Sequence, residues 1–258
     1  MVFMTNSQRP IVLVRGLIRE KRHWGQFREL LQQAFPERTI VSFNVPGNGH
    51  LYRLKSADSI CQMRQSLRIQ LRLQNVNIDC VDIVAISLGG MLAVDWANKF
   101  SHEVNSLVLI NSSNAAFSPF YRRLNWRIYP SLISAIFTQS TVSRQRKIMA
   151  LTTSFPQQHQ QVLCAWVSWA KQYPVSLENA FLQLKAAAAF KAPNKPNQAM
   201  LILNSRRDKL VDCSCSEQLA KRWQADVKQH PTAGHDLPLD APLWTVKQIQ
   251  QWLNALSC

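Results

Sequence analysis

Short apolar runs of strand length alternate along the chain with longer stretches whose apolar positions recur at helical spacing. Residues 10–15 read as a buried strand that ends at Gly16. Over 24–35, Trp24, Phe27, Leu30, Leu31 and Ala34 fall on one helical face. A second strand is expected over 39–45, stopped by Pro46, Gly47, Asn48 and Gly49. A long helix is expected over 56–74, with Ile60, Met63, Leu67, Leu71 and Leu73 inward. Residues 81–86 read as a third strand and 88–99 as the helix that follows at once. The remaining strands are expected at 106–110, 199–203 and, more weakly, 226–230, before a closing helix over 243–256. Strands that alternate with helices predict an α/β fold, a mostly parallel sheet flanked by helices. Ligands bind at the carboxyl ends of the strands in such sheets.

One segment breaks the alternation. Residues 114–198 offer no convincing strand and read as helical pieces rich in aromatics, among them Phe117, Trp126, Phe137, Trp166 and Trp169. The expected organisation is a core of residues 1–113 and 199–258 with a helical cap, 114–198, inserted between two strands of the sheet.

Composition narrows the class. With 258 residues, 47% hydrophobic and 17% charged, the chain can bury one sizeable core and is too apolar to be disordered. The apolar run at 11–14 is too short for a signal core, so the six cysteines are expected to be reduced thiols in a cytoplasmic protein. Cys213 and Cys215 lack companions at zinc-site spacing, so no metal is expected. No stretch has the ~20 apolar residues of a membrane span. The net charge of +15 speaks to partners rather than to fold.

Three segments carry candidate chemistry. Ser87 follows a strand and opens a helix, with Ala85 two residues before it and Gly89 two after. A nucleophile elbow needs that context, because small residues let the turn pack strand against helix. A plain serine N-cap would share part of the pattern. Asp208 follows the fifth strand, and Gly234 and His235 follow the last. A serine nucleophile requires a base, and the base an orienting carboxylate. The order Ser87, Asp208, His235 therefore predicts a triad, with Asp212 and Asp236 as rival acids. The oxyanion donors expected are the backbone N–H groups of Leu88 and Leu17, the latter freed by Gly16.

These residues resemble the α/β-hydrolase superfamily over essentially the whole chain. The resemblance rests on 12–16, Trp24, 45–50, 85–90, 208–211 and Gly234 with His235. Where the family normally carries histidine before Gly16, this chain has Arg15. Within the superfamily the layout is similar to small carboxylesterases of the pimeloyl-acyl-carrier-protein methyl ester esterase type, through its compact length, its inserted cap and the stretch leading to Asn114. That likeness implies a serine carboxylic-ester hydrolase working through an acyl-enzyme on a small acyl ester. It also implies a basic cap that docks an acidic acyl carrier protein, as in biotin synthesis.

The cap is basic here too: ten cations against Glu178 alone leave it with +9. Arg122, Arg123, Arg127, Arg144, Arg146 and Lys147, with Trp126 and Trp166, are the candidate partner- or substrate-binding residues. A solvated basic surface accounts for the same cations, and the aromatics would equally serve as the cap's own core. Nucleic acid is not expected, since no recognised module for it occurs. Two other functions share the fold: a carbon–carbon lyase or hydrolase acting on a carboxylated metabolite, as in the menaquinone pathway, and a non-catalytic ligand-binding protein. No metal or organic cofactor is expected, because a triad supplies nucleophile, base and electrostatics.

Overall fold

The computed structural model describes residues 9–74 and 80–256. Six strands form one sheet: β1 (Ile11–Val14), β2 (Ile40–Ser42), β3 (Val81–Ile86), β4 (Val104–Ile110), β5 (Ala199–Ser205) and β6 (Asp226–His230). Their order is β2-β1-β3-β4-β5-β6, and every neighbouring pair is parallel. All four residues of β1 and all six of β3 are buried, as strands covered on both faces must be. Alternate residues face opposite ways. Val12, Val14, Ile83, Ala85, Leu107 and Leu109 pack on one side, and Ile11, Leu13, Val84, Ile86, Val108 and Ile110 on the other.

The helices supply the two outer layers. The helices α1 (Gln26–Ala34), α2 (Ile60–Leu73) and α3 (Leu88–Lys99) follow β1, β2 and β3. On one face α2 brings Met63, Leu67 and Leu71, and α3 brings Leu92 and Trp96. On the other, Phe27 and Leu31 of α1 meet the C-terminal helix, numbered below. Between β4 and β5 the elements are helical: α4 (Phe120–Arg123), α5 (Tyr129–Phe137), α6 (Thr141–Thr152), α7 (Gln160–Gln172) and α8 (Leu177–Ala189), with short 3-10 turns. Then come α9 (Cys213–Trp223), α10 (Leu237–Asp240) and α11 (Pro242–Ala255), the last contributing Val246, Ile249 and Leu253 to the second face.

The helical segment has a small cluster of its own, Met149, Leu163 and Trp166. Its two ends are tied together by Asn114, whose Oδ1 accepts the Ala192 N–H at 3.1 Å while its amide donates to the Ala192 carbonyl. Among the described residues no helix is long and apolar enough to cross a membrane.

Three expected elements are shorter than their apolar patterns; the helix read over 56–74 forms only Ile60–Leu73, capped by Ser59, and its Leu73 faces solvent rather than inward. The strand read over 39–45 forms only Ile40–Ser42, because Asn44 leaves the ladder and its Oδ1 accepts the Lys21 N–H at 2.7 Å. The helix read from Trp24 begins at Gln26, since Gly25 at φ 47° interrupts it after a 3-10 turn. The chain runs from β1 out to β2 and returns to β3 on β1's other side. The reversal opens a crevice at the carboxyl ends of β1 and β3, where α/β sheets bind ligands.

Candidate active site

Ser87 lies at that crevice. β3 ends at Ile86, α3 starts at Leu88, and Ser87 between them has φ 57° and ψ −122°. A non-glycine residue held there costs on the order of 1–3 kcal/mol, so its surroundings must enforce it. The Ser87 N–H donates to the Ile110 carbonyl at 2.9 Å, and the Ser112 hydroxyl donates to the Ser87 carbonyl at 2.9 Å. A Cβ on Gly89 would come within 2.3 Å of the Val14 carbonyl oxygen, so β1 and α3 touch backbone to backbone. A Cβ on Gly16 would lie 3.0 Å from the Ser87 Cβ. The serine does not cap α3 with its side chain, unlike Ser59 and Ser176 on their helices. The simple N-cap reading therefore does not describe it.

His235 is buried, and its Nδ1 lies 2.7 Å from Asp208 Oδ2. The second oxygen of Asp208 accepts the N–H groups of Leu210 at 2.8 Å and Val211 at 3.0 Å, which fixes the carboxylate in its turn. Of the rival acids, Asp212 caps α9 by accepting the Ser214 N–H, and Asp236 faces Arg15. Ser87 and His235 share the same end of the sheet through two routes. Asn111 follows Ile110, the acceptor of the Ser87 N–H, and its amide donates to the His235 carbonyl at 2.8 Å. Arg15 precedes Gly16 and binds Asp236, the residue after His235. No hydrogen bond joins the Ser87 and His235 side chains among the described residues, a common state for such pairs before substrate arrives.

The residues expected to supply the oxyanion donors follow the two strands that flank the crevice, β1 and β3. Leu88 is the first residue of α3, where N–H groups lack intrahelical acceptors. Leu17 lies in the loop after β1. Its neighbour Ile18 takes φ 60°, and the Ile18 N–H donates to Gln183 Oε1 at 2.9 Å. Gln183, fully buried on α8, also donates to Asn48 Oδ1 at 2.8 Å and Ser56 Oγ at 3.0 Å, joining the loops after β1 and β2.

Arg15 and Asp236 form a bidentate pair, Nη1–Oδ1 at 3.1 Å and Nη2–Oδ2 at 2.7 Å, with both side chains almost wholly buried. Two further arginines follow in the same loop. Arg22 binds Glu20 at 2.5 Å and Gln172 at 2.8 Å. Arg19 stacks on Trp166, with Cζ 3.8 Å from the ring centroid. Burial pushes the Arg19 guanidinium down to about 9; Asp236 opposes the shift and Arg15 adds to it. Burial, then Arg19 and Arg15, hold His23 well below its ordinary 6.5, so it packs as a neutral ring against Trp166 and Trp169.

The cap candidates divide. Arg122, Arg127 and Arg146 are exposed, and Trp126 is 59% exposed. Three others are not free cations: Arg123 donates to the carbonyls of Ala187 and Ala188, Arg144 to that of Thr138, and Lys147 to the hydroxyls of Ser134 and Thr138. Trp166 is buried and faces the loop after β1 rather than the surface.

Asp240 is a residue that sequence patterning did not single out. Its carboxylate accepts the N–H groups of Gly234 at 2.7 Å and Ser154 at 2.8 Å, and the Thr153 hydroxyl. It thereby ties the loop carrying His235 to the end of α6. Burial raises its carboxyl, but bonds from His159, Ser154, Thr153 and Gly234 outweigh burial and hold it below the ordinary 3.8.

A family model described as alpha/beta hydrolase fold matches residues 9–242. No curated protein matches the sequence. Among solved structures, the meta-cleavage product hydrolase of Pseudomonas fluorescens IP01 superposes with a TM-score of 0.80 at 14% identity, covering 96% of this chain and 91% of that one. A thermophilic esterase from Thermogutta terrifontis gives 0.75 at 17%, covering 97% and 91%. The enol-lactonase of Burkholderia xenovorans LB400 gives 0.76 at 16%, covering 95% and 92%. Likeness at such identities speaks to fold alone.

Proposed function

The chain belongs to the alpha/beta hydrolase fold family, and from that premise we propose that it is a serine hydrolase that cleaves a carboxylic ester through an acyl-enzyme. Ser87 Oγ attacks the carbonyl carbon while His235 Nε2 takes the hydroxyl proton. Asp208, bonded to Nδ1, keeps the proton on that nitrogen in the resting ring and stabilises the cation that forms. The N–H groups of Leu88 and Leu17 receive the developing oxyanion. The tetrahedral intermediate expels the alcohol, protonated by His235. Water, activated by the same ring, then releases the acid and restores Ser87.

The observation that carries this reading is the backbone of Ser87. A positive φ in a residue that caps nothing is a strain with no stabilising return of its own, and such strain clusters at reactive sites. The test is hydrolysis of p-nitrophenyl acyl esters by wild type and Ser87→Ala, with fluorophosphonate labelling in parallel. Wild type turns over and is labelled, and Ser87→Ala loses at least about 10,000-fold in kcat. Labelling of another serine, or activity that survives in Ser87→Ala, would sink the assignment.

Residues 114–198 are read as a cap over this site, since Trp166 and Gln183 reach the loop bearing Leu17. The finer reading is an acyl chain delivered by an acidic acyl carrier protein, as for a pimeloyl methyl ester in biotin synthesis. It is supported by Arg122, Arg127 and Arg146, exposed beside Trp126, Phe120 and Phe137. Arg123, Arg144 and Lys147 support it less, being committed within the fold. Cleavage of a methyl-pimeloyl carrier conjugate that weakens as salt rises favours this reading, and indifference to the conjugate removes it.

A further inference from the structure

We infer that Arg19 is the recognition group for a carboxylate carried by the substrate, so that the preferred ester is that of an anionic, dicarboxylic-type acyl chain. The inference rests on the serine-hydrolase reading for what happens to the substrate, but not for its binding, and it stands as an alternative to the carrier-borne methyl ester, both of whose carboxyls are masked.

The argument begins with charge around the loop after β1. Arg15 is matched by Asp236 in a bidentate pair, and Arg22 by Glu20. Arg19 has no carboxylate of its own. Its guanidinium stacks on the face of Trp166, and its Nη2 is closed off from solvent with no acceptor among the described residues. Stacking offsets part of the desolvation of a guanidinium. It leaves Nη2 unsatisfied; Arg15 Nε and Arg22 Nη2 are likewise without partners, but their guanidiniums already hold carboxylates, whereas that of Arg19 holds none. One unmatched positive charge with a planar fork of donors calls for one planar monoanion. A carboxylate answers both conditions, accepting two parallel N–H bonds.

Position connects this group to the chemistry. The Arg19 N–H donates to the Gly16 carbonyl at 3.3 Å, so Arg19 sits one turn of chain beyond the glycine that abuts Ser87. Asp236, the neighbour of His235, is near enough to act electrostatically on Arg19. Trp166 forms the apolar floor, anchored by Met149 and Leu163. A carboxylate that meets Arg19 is thereby held beside the loop that carries Gly16, the glycine that abuts Ser87. Asp236 is already committed to Arg15, and Glu20 to Arg22, so neither has to be displaced.

The test compares paired p-nitrophenyl esters. One series carries the monoesters of succinic, glutaric, adipic and pimelic acids; the other carries neutral acyl chains of matched length. Wild type is expected to favour the carboxylate member of at least one pair by roughly 10- to 100-fold in kcat/KM, the range for hydrogen bonds to charged groups. Arg19→Met should collapse that ratio toward one, and Arg19→Lys should keep part of it. Equal treatment of every pair by wild type, or a ratio that survives Arg19→Met, overturns the inference.

Wild type alone supplies a second check, independent of folding in the variants. The free dicarboxylate of the preferred length should inhibit hydrolysis of a neutral ester competitively, while the matched diol should not. Equal effects of acid and diol would count against Arg19. If no ester is cleaved at all, the hydrolase reading fails, and the binding claim is then decided by thermal shift. A rise in Tm with the dicarboxylate that Arg19→Met abolishes upholds it, and no rise in wild type overturns it.

Discussion

Arg15 precedes the glycine that abuts Ser87, and its meaning lies in a residue 221 positions away. The guanidinium holds Asp236 in a buried, two-point bond, and Asp236 adjoins His235. Removing one member leaves the other charge buried and alone, which costs about 3–5 kcal/mol, whereas replacing both with apolar groups is often close to neutral. Asp236→Ala and Arg15→Met should each lower the urea midpoint strongly, and Arg15→Met with Asp236→Leu should recover most of the loss. A double variant as unstable as the sum of the singles would mean that the pair does not act as a unit. The arginine itself was plain in the sequence, and so was the cation it brings to the loop after β1. Its partner was not, because no pattern of spacing links positions so distant. The same holds for Asn111 and Gln183, whose side-chain amides bond groups in loops distant along the chain.

The loop between β6 and α10 is where these single bonds become one device. Asp240 gathers the N–H groups of Gly234 and Ser154 and the Thr153 hydroxyl, while Asn111 holds the His235 carbonyl and His230 Nδ1 accepts the Ala233 N–H at 3.0 Å. Asp240→Ala should leave the sheet folded but let the imidazole wander, lowering kcat on the order of 10- to 100-fold, the effect of a displacement of about 1 Å. KM should change less. A change in KM alone would remove Asp240 from the positioning of His235. The strands themselves were legible because both faces are covered, which writes continuous runs of Val, Ile and Leu; β3, α3 and β6 have the bounds that the pattern implied. Boundaries set by polar side chains were not legible. β2 ends early because Asn44 turns to Lys21 and His50, and α1 starts late because Gly25 adopts a conformation that no hydrophobic period reveals. The insertion was legible as helical, but which of its cations would be consumed by carbonyl oxygens was not.

Apart from Arg19, charge over the whole molecule is divided between a balanced interior and an unbalanced exterior. Inside, Arg15 meets Asp236, Arg38 meets Asp82, Arg64 meets Asp95 and Arg68 meets Glu103. These pairs cancel, so the excess of +15 rests on the remaining residues, +9 of it on 114–198. Two consequences follow with opposite handles. The first is acid sensitivity. Burial raises the Glu103 carboxyl, but bonds from Arg68 and Trp96 outweigh it and hold the group below its ordinary 4.5, and Asp240 likewise lies below 3.8. Carboxyls lowered in the fold contribute stability that is complete above their ordinary values and is lost as pH falls through the folded ones. The urea midpoint should therefore not fall on account of these groups between neutral pH and 4.5, and should drop steeply below 3.8. The second consequence is that added salt at neutral pH should stabilise the protein. Exposed ion pairs such as Lys55 with Glu178 and Lys185 with Asp58 weaken under screening, but they contribute little. Repulsion among fifteen uncompensated positive charges is relieved by the same screening, since the Debye length shrinks from about 10 Å at 0.1 M to about 3 Å at 1 M. Sodium chloride should raise Tm on the order of a few °C. Sodium sulfate, which also strengthens apolar burial, should raise it further. A Tm that falls with sodium chloride would mean that surface pairs outweigh the net charge, and that the exposed cations of α4 to α6 are already compensated within the fold.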